Sequence, residues 1–201
     1  MIKVLVVGGE GYIGSHLIRE MVSRGFNQIH SIDMGVYRDD PNLPFHRSSQ
    51  SHEINHNAHF DSLSENQICF WKSTFTSLGK GFIEHHDFDA IIWLAGHSSV
   101  KMCENHQTDV IFNNVTSLES FMIMYNQLVK KPLLIYASSA SVYGDTTDIN
   151  GIGRNATEDS MCQSLSPYDL SMLHRDRMMT NRPSSPCATA GPLVASGGSL
   201  Q

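Results

Sequence analysis

Gly8, Gly11 and Gly14 stand three residues apart in the run Gly8-Gly9-Glu10-Gly11-Tyr12-Ile13-Gly14, and Asp33 follows 19 residues after the last of them. Glycine is needed where a chain turns sharply and a pyrophosphate must reach backbone N–H groups with no Cβ in the way. A helix that starts at such a turn also offers the positive end of its dipole to the phosphates. A carboxylate at the Asp33 position accepts hydrogen bonds from both hydroxyls of a ribose and repels a 2′-phosphate. This constellation predicts a dinucleotide site that prefers NAD to NADP, with Tyr12 and Ile13 as further members of the turn. Arg38 is a nearby cation that favours NADP instead.

Strands and helices must hold these residues in place, and the chain supplies them. Lys3 to Val7 is a β-branched run, too short for a signal-peptide core, and Ser15 to Ser23 carries Leu17, Ile18, Met21 and Val22 at helical spacing. Gly25 stops that helix, and Gln28 to Ile32 reads as a second strand closing on Asp33. From Gly35 to about Asn66 the composition turns polar, with prolines, serines and histidines, which predicts a long loop. Ile68 to Phe75, Ala90 to Leu94 and Leu133 to Ala137 read as further strands, and Thr108 to Lys130 as a helix ended by Pro132. Strands apolar on both faces that alternate with helices predict an α/β domain with a doubly wound parallel sheet over residues 1–182. Residues 183–201 are small and turn-forming, an irregular tail.

Composition narrows the function classes. A formal charge of -6 gives no electrostatic reason to bind nucleic acid, and no segment is long enough to span a bilayer. Cys69, Cys103, Cys162 and Cys187 are scattered with no Cys-x-x-Cys pair, which suits a reducing, cytoplasmic setting. His52, His56 and His59 have a spacing that a helix would bring to one side, yet the segment is a poor helix, so a solvated loop and no metal site are expected. His85-His86 is expected at a surface turn. The Asn-x-Thr sequons at Asn114 and Asn155 are read as chance.

Further segments occur in a telling order: Leu94-Ala95-Gly96-His97-Ser98-Ser99-Val100, Asn113-Asn114-Val115, Tyr136-Ala137-Ser138-Ser139-Ala140-Ser141-Val142-Tyr143-Gly144 and Ser166-Pro167-Tyr168. With these, residues 1 to about 180 resemble the extended short-chain dehydrogenase/reductase family of sugar-nucleotide epimerases and dehydratases. The resemblance implies a Rossmann-type fold, NAD as cofactor and a nucleotide-sugar as substrate. It implies that Leu94, Ala95 and Gly96 pass beneath the cofactor. Asn113 or Asn114 then fills the active-site asparagine position, with Asn114 taken as catalytic and Asn113 as cofactor-binding. Ser139 corresponds to the hydroxyl that bonds the reacting oxygen. Tyr168 corresponds to the phenol that takes a proton from a sugar hydroxyl while hydride passes to the nicotinamide. Homodimerisation through Thr108–Lys130 and Tyr168–Arg182 is implied in the same way. The acid pair of the dehydratase branch is replaced by Ala140 and Ser141, leaving epimerase, decarboxylase or reductase chemistry.

Three departures stand against that pattern. Met172 occupies the place of the family lysine, whose ammonium holds the nicotinamide ribose and lowers the phenol pKa from about 10. Another cation (Lys101, Arg175 or His174) takes over its role, or the chain binds a dinucleotide without turnover, or the subfamily tolerates methionine. Near Trp71-Lys72 the acid that meets the adenine is missing. After Tyr168 the family continues into a further strand and a substrate lobe, which residues 183–201 do not supply, so a C-terminally truncated member is expected. The expected function is that of an NAD-dependent sugar-nucleotide epimerase or oxidoreductase. The alternative is a noncatalytic dinucleotide-binding protein or inactive fragment.

Overall fold

A computed structural model describes residues 2–34, 51–53, 68–75, 79–98, 100–147, 153, 155–157, 160–163 and 166–180. Most of the polar excursion, including Arg38, His56 and His59, and the whole tail from 181 onward lie outside the described residues.

The strands are β1 (Val4–Val7), β2 (Ile29–Asp33), β3 (Ser51–Glu53), β4 (Ile68–Lys72), β5 (Ala90–Trp93) and β6 (Leu133–Tyr136). They form one sheet in the order β3-β4-β2-β1-β5-β6, with every pairing parallel. The chain builds outward from β1 through β2 and β4, then crosses back to lay β5 and β6 on the other side of β1. That reversal creates a crevice at the carboxyl end of β1, where open α/β sheets bind ligands. The glycine turn sits there, between β1 and helix α1 (Tyr12–Ser23).

Successive strand residues alternate faces, and each face has its own cover. On one, Val4, Val6, Ile29 and Phe70 pack with Ile18 and Met21 of α1. On the other, His30 and Trp71 meet Phe82 and His86 of α2 (Gly79–His86), while Trp93 meets Phe121 of α5 (Ser117–Asn126). Burial on both faces is why β1 reads as a continuous apolar run.

The structure differs from the sequence reading in four places. The polar excursion contains a short strand, β3, whose Ser51 pairs in register with Phe70. Helix α2 has no strong apolar period, and what buries it is the aromatic side of Phe82 and His86. His86 is therefore core and not surface, at 6% exposure. The expected helix over 108–130 is three pieces: α4 (Gln107–Val110), a π-helical segment Ile111–Thr116, and α5.

Among the described residues the chain divides into two compact units, residues up to Ala95 with Phe121–Tyr136, and Gly96–Ser120 with 137–180. The first holds the sheet. The second holds α3 (Val100–Asn105), α4, the π-helical segment, a 3-10 turn (Ala140–Tyr143) and α6 (Pro167–Thr180).

Candidate cofactor and active site

In the sheet unit the glycine turn is tightly closed. Gly8 N–H donates to Ile32 O at 2.8 Å and Ser15 N–H to Gly11 O at 2.9 Å. Gly8 has φ +85, and a Cβ there would stand 2.6 Å from the Ala95 nitrogen. A Cβ on Gly14 would collide with Gly8 O and lie 2.7 Å from Gly9 Cα. The turn is thus a bare-backbone cradle. Helix α1 begins at it with no side-chain cap and no acid in the first turn, so its first N–H groups and dipole are presented to an anion. Tyr12 and Ile13 flank that end, at 72% and 64% exposure.

Asp33 ends β2 and its Oδ2 accepts the Glu10 N–H at 3.1 Å, which ties the carboxylate to the turn. Lys72, in place of the acid expected after β4, is the register partner of Asp33. Leu94 and Ala95 leave β5 beside Gly8, and Leu94 N–H donates to Val7 O at 2.8 Å. These residues fit a dinucleotide: a pyrophosphate against the turn and a ribose on Asp33.

In the second unit the residues of interest gather around α6. Its start is a capping box: Asp169 N–H donates to Ser166 Oγ at 3.1 Å and Ser166 N–H to Asp169 Oδ2 at 3.0 Å. Pro167 takes the first helical position, where its missing N–H costs nothing. The Ser-Pro-Tyr-Asp run therefore carried a local physical signal, Ser-x-x-Asp, that sequence reasoning missed. Tyr168, directly after this fixed start, is half-buried and packs against the cluster of Val142, Tyr143, Met172 and Leu173. Met172 is 4% exposed.

Asn114 lies in the π-helical segment at 1% exposure. Its Oδ1 accepts the His97 N–H at 2.7 Å, and its Nδ2 donates to His97 O and to Ser171 Oγ, both at 3.1 Å. The Ser171 hydroxyl in turn donates to Tyr168 O at 2.7 Å. A π-turn rotates one residue out of the helical register, and such turns cluster at functional sites; here it points Asn114 inward to join the 96–98 loop to α6. Its burial also closes the Asn114 sequon to modification. Asn113, its neighbour, is half-buried. Asn114→Leu should cost about 2 kcal/mol in urea unfolding, because three polar groups lose their partner inside the protein.

Ser139 caps the 3-10 turn: the Ser141 N–H donates to Ser139 Oγ at 3.2 Å, and the two hydroxyls lie 2.9 Å apart. Ser138 is engaged elsewhere, donating to Asp176 Oδ2 at 2.7 Å. On α3, the Cys103 thiol is pushed up by burial and by the Asp169 carboxylate, which disfavours its thiolate. No metal-ligating cluster occurs among the described residues.

Comparison with known proteins places this architecture. A sequence profile described as the NAD dependent epimerase/dehydratase family matches residues 4–185. The UDP-glucose 4-epimerase of Lactobacillus helveticus is 27% identical over 182 residues, covering 88% of this chain and 46% of that protein. The UDP-glucose 4-epimerase of Yersinia enterocolitica is 33% identical over 156 residues, covering 71% and 38%. The fold is shared with the crystal structure of a UDP-glucose-4-epimerase from Stenotrophomonas maltophila with bound NAD and formylated UDP-arabinopyranose, at TM-score 0.66, 19% identity, and 90% and 48% coverage. The chain spans about half the length of these relatives. With the glycine cradle at the sheet's reversal point, and a profile match that runs from β1 through α6, the chain belongs to the NAD-dependent epimerase/dehydratase family.

Proposed function

We propose that this chain is the cofactor-binding and proton-transfer half of an NAD-dependent sugar-nucleotide epimerase or oxidoreductase. The observation that carries the reading is the family match over 4–185 with Tyr168 on the capped first turn of α6. NAD, when bound, supplies the hydride acceptor. The glycine turn and the N-terminus of α1 hold its pyrophosphate, and Asp33 takes the ribose hydroxyls in preference to a 2′-phosphate. Tyr168 accepts the proton of a sugar hydroxyl and Ser139 bonds the same oxygen. The substrate class, a nucleotide-sugar, comes from the relatives, which are UDP-glucose 4-epimerases.

Met172 favours a second reading, in which the chain binds a dinucleotide without turnover. Its side chain is buried in an apolar cluster where the family has an ammonium. One experiment separates the two: the protein is titrated with NAD, then offered a panel of UDP-, GDP- and dTDP-sugars while the nicotinamide absorbance is followed. Reduction of bound NAD supports the enzyme, with Tyr168→Phe slowing it at least about 100-fold. Binding with no absorbance change on any sugar supports the second reading, and no NAD binding sinks both.

A further inference from the structure

The hydroxyl of Ser171 is buried on the inner face of α6, at 3% exposure, one helical turn after Tyr168. It has one proton to give and lone pairs to fill. The proton goes to Tyr168 O at 2.7 Å, and a carbonyl can only accept, so the direction of that bond is fixed. A lone pair takes a proton of Asn114 Nδ2 at 3.1 Å, and an amide nitrogen can only donate, so that direction is fixed too. The Asn114 amide is oriented in its turn. Its Oδ1 accepts the His97 N–H at 2.7 Å and its Nδ2 donates to His97 O at 3.1 Å, while a flipped amide would set donor against donor and acceptor against acceptor. Gly96 lets the loop lie this close, since a Cβ there would stand 3.1 Å from Asn114 Oδ1. A single directed chain of hydrogen bonds therefore runs from the backbone of His97 to the backbone of Tyr168.

We propose that Ser171 is a positioning residue for Tyr168: its hydroxyl ties the Tyr168 carbonyl to the Asn114 amide, and through it to the 96–98 loop, and so sets where the first turn of α6 holds the phenol. A serine that bonds back to a carbonyl of its own helix brings that helix no gain, because it competes with the ladder and bends it. Nor does the start of α6 need it, since the capping box of Ser166 and Asp169 already closes that turn. What the hydroxyl adds is a hold on a segment outside the helix. The capping box fixes Tyr168 within α6, and Ser171 fixes it against the loop. Asn114, 1% exposed and with both ends of its amide bonded to protein, works by holding Ser171. Such a hold matters for proton transfer, where a misplacement of about 1 Å costs on the order of 100-fold in rate.

The inference rests on Tyr168 being the proton acceptor, but one arm of its test needs no turnover. NMR spectra are recorded on protein with isotope-labelled tyrosine rings, and the Tyr168 signals are those lost in Tyr168→Phe. Ser171→Ala is expected to move them while the signals of Tyr12, Tyr125 and Tyr136 keep their wild-type positions, and Ser171→Thr, which keeps the hydroxyl, to return them. In the second arm, reduction of bound NAD by the panel of nucleotide-sugars should slow about tenfold in Ser171→Ala at saturating sugar and recover in Ser171→Thr, with NAD affinity and the half-saturating sugar concentration staying within about twofold of wild type. Tyr168 signals that stay in place overturn the proposal, and so does an unchanged rate once they have moved. If Ser171→Ala does not fold, Ser171→Cys, close to serine in size but with only a weak thiol donor, is read in the same way. A wild type that reduces NAD with no sugar defeats the proposed function, and the ring signals still decide whether Ser171 holds the tyrosine.

Discussion

Between pH 7 and pH 5 the folded chain is expected to lose about 4 kcal/mol of stability, through two histidines that cannot charge while it is folded. His30 on β2 and His86 on α2 are 4% and 6% exposed, with ring centroids 4.6 Å apart. Burial first, then the neighbouring His86, then Lys3 push His30 down to about 3. Burial, His85 and Lys3 push His86 down to about 4. The Trp71 indole N–H donates to His30 Nδ1 at 3.1 Å, a bond that exists only when that nitrogen carries no proton. In the unfolded chain both rings titrate near 6.5. Below that pH the unfolded state therefore holds more protons than the folded state. Stability is fully present above about pH 7 and falls as pH drops through 6.5, by about 1.4 kcal/mol per unit for each histidine. Urea unfolding at a series of pH values reads this directly. His86→Phe, which keeps an aromatic ring against Phe82 and Phe88, should halve the slope. A flat profile from pH 7 to 5 would falsify the neutral-pair reading.

The histidine pair also shows where sequence reading stops. His85-His86 looks like surface because histidine is polar, and only the pairing of β2 with β4 brings Trp71 beside His30 and makes an aromatic pocket for His86. The glycine turn was legible because its demands are local: φ, close backbone approach and a helix start are set within seven residues. Asp33 was legible because strand length fixes its distance from the turn. Helix α6 was only half legible. Its motif was visible, but its inward face is polar, Ser171, Arg175 and Asp176, so no apolar period announces which side is buried. The π-helical segment likewise left no trace in the 108–130 pattern, since a change of register confined to Ile111–Thr116 is too short to show in the apolar spacing, yet it turns Asn114 inward.

Gly8→Ala is expected to destabilise the chain by about 4 kcal/mol, and Gly25→Ala by only about 1 to 2 kcal/mol. The two glycines make a matched pair, because each has φ +85. An L-residue pays the same left-handed penalty at both, about 1 to 2 kcal/mol. They differ in what a Cβ meets: nothing within 4 Å at Gly25, but Ala95 N at 2.6 Å and Ala95 Cα at 2.8 Å at Gly8. Both of those atoms are backbone, held where β5 pairs with β1, so neither can rotate away. Relief requires the β1 turn and the β5 exit to separate, which adds a cost of overpacking, about 1 to 3 kcal/mol. For a chain of this size the Gly8 substitution should lower Tm by roughly 8 to 16 °C, against roughly 2 to 8 °C for Gly25. Moving the β5 exit also moves Ala95 relative to the turn, so NAD affinity should fall with Gly8→Ala and stay at the wild-type value with Gly25→Ala. Equal melting shifts for the two variants would mean that backbone strain alone, and not the contact with Ala95, explains the glycine at position 8.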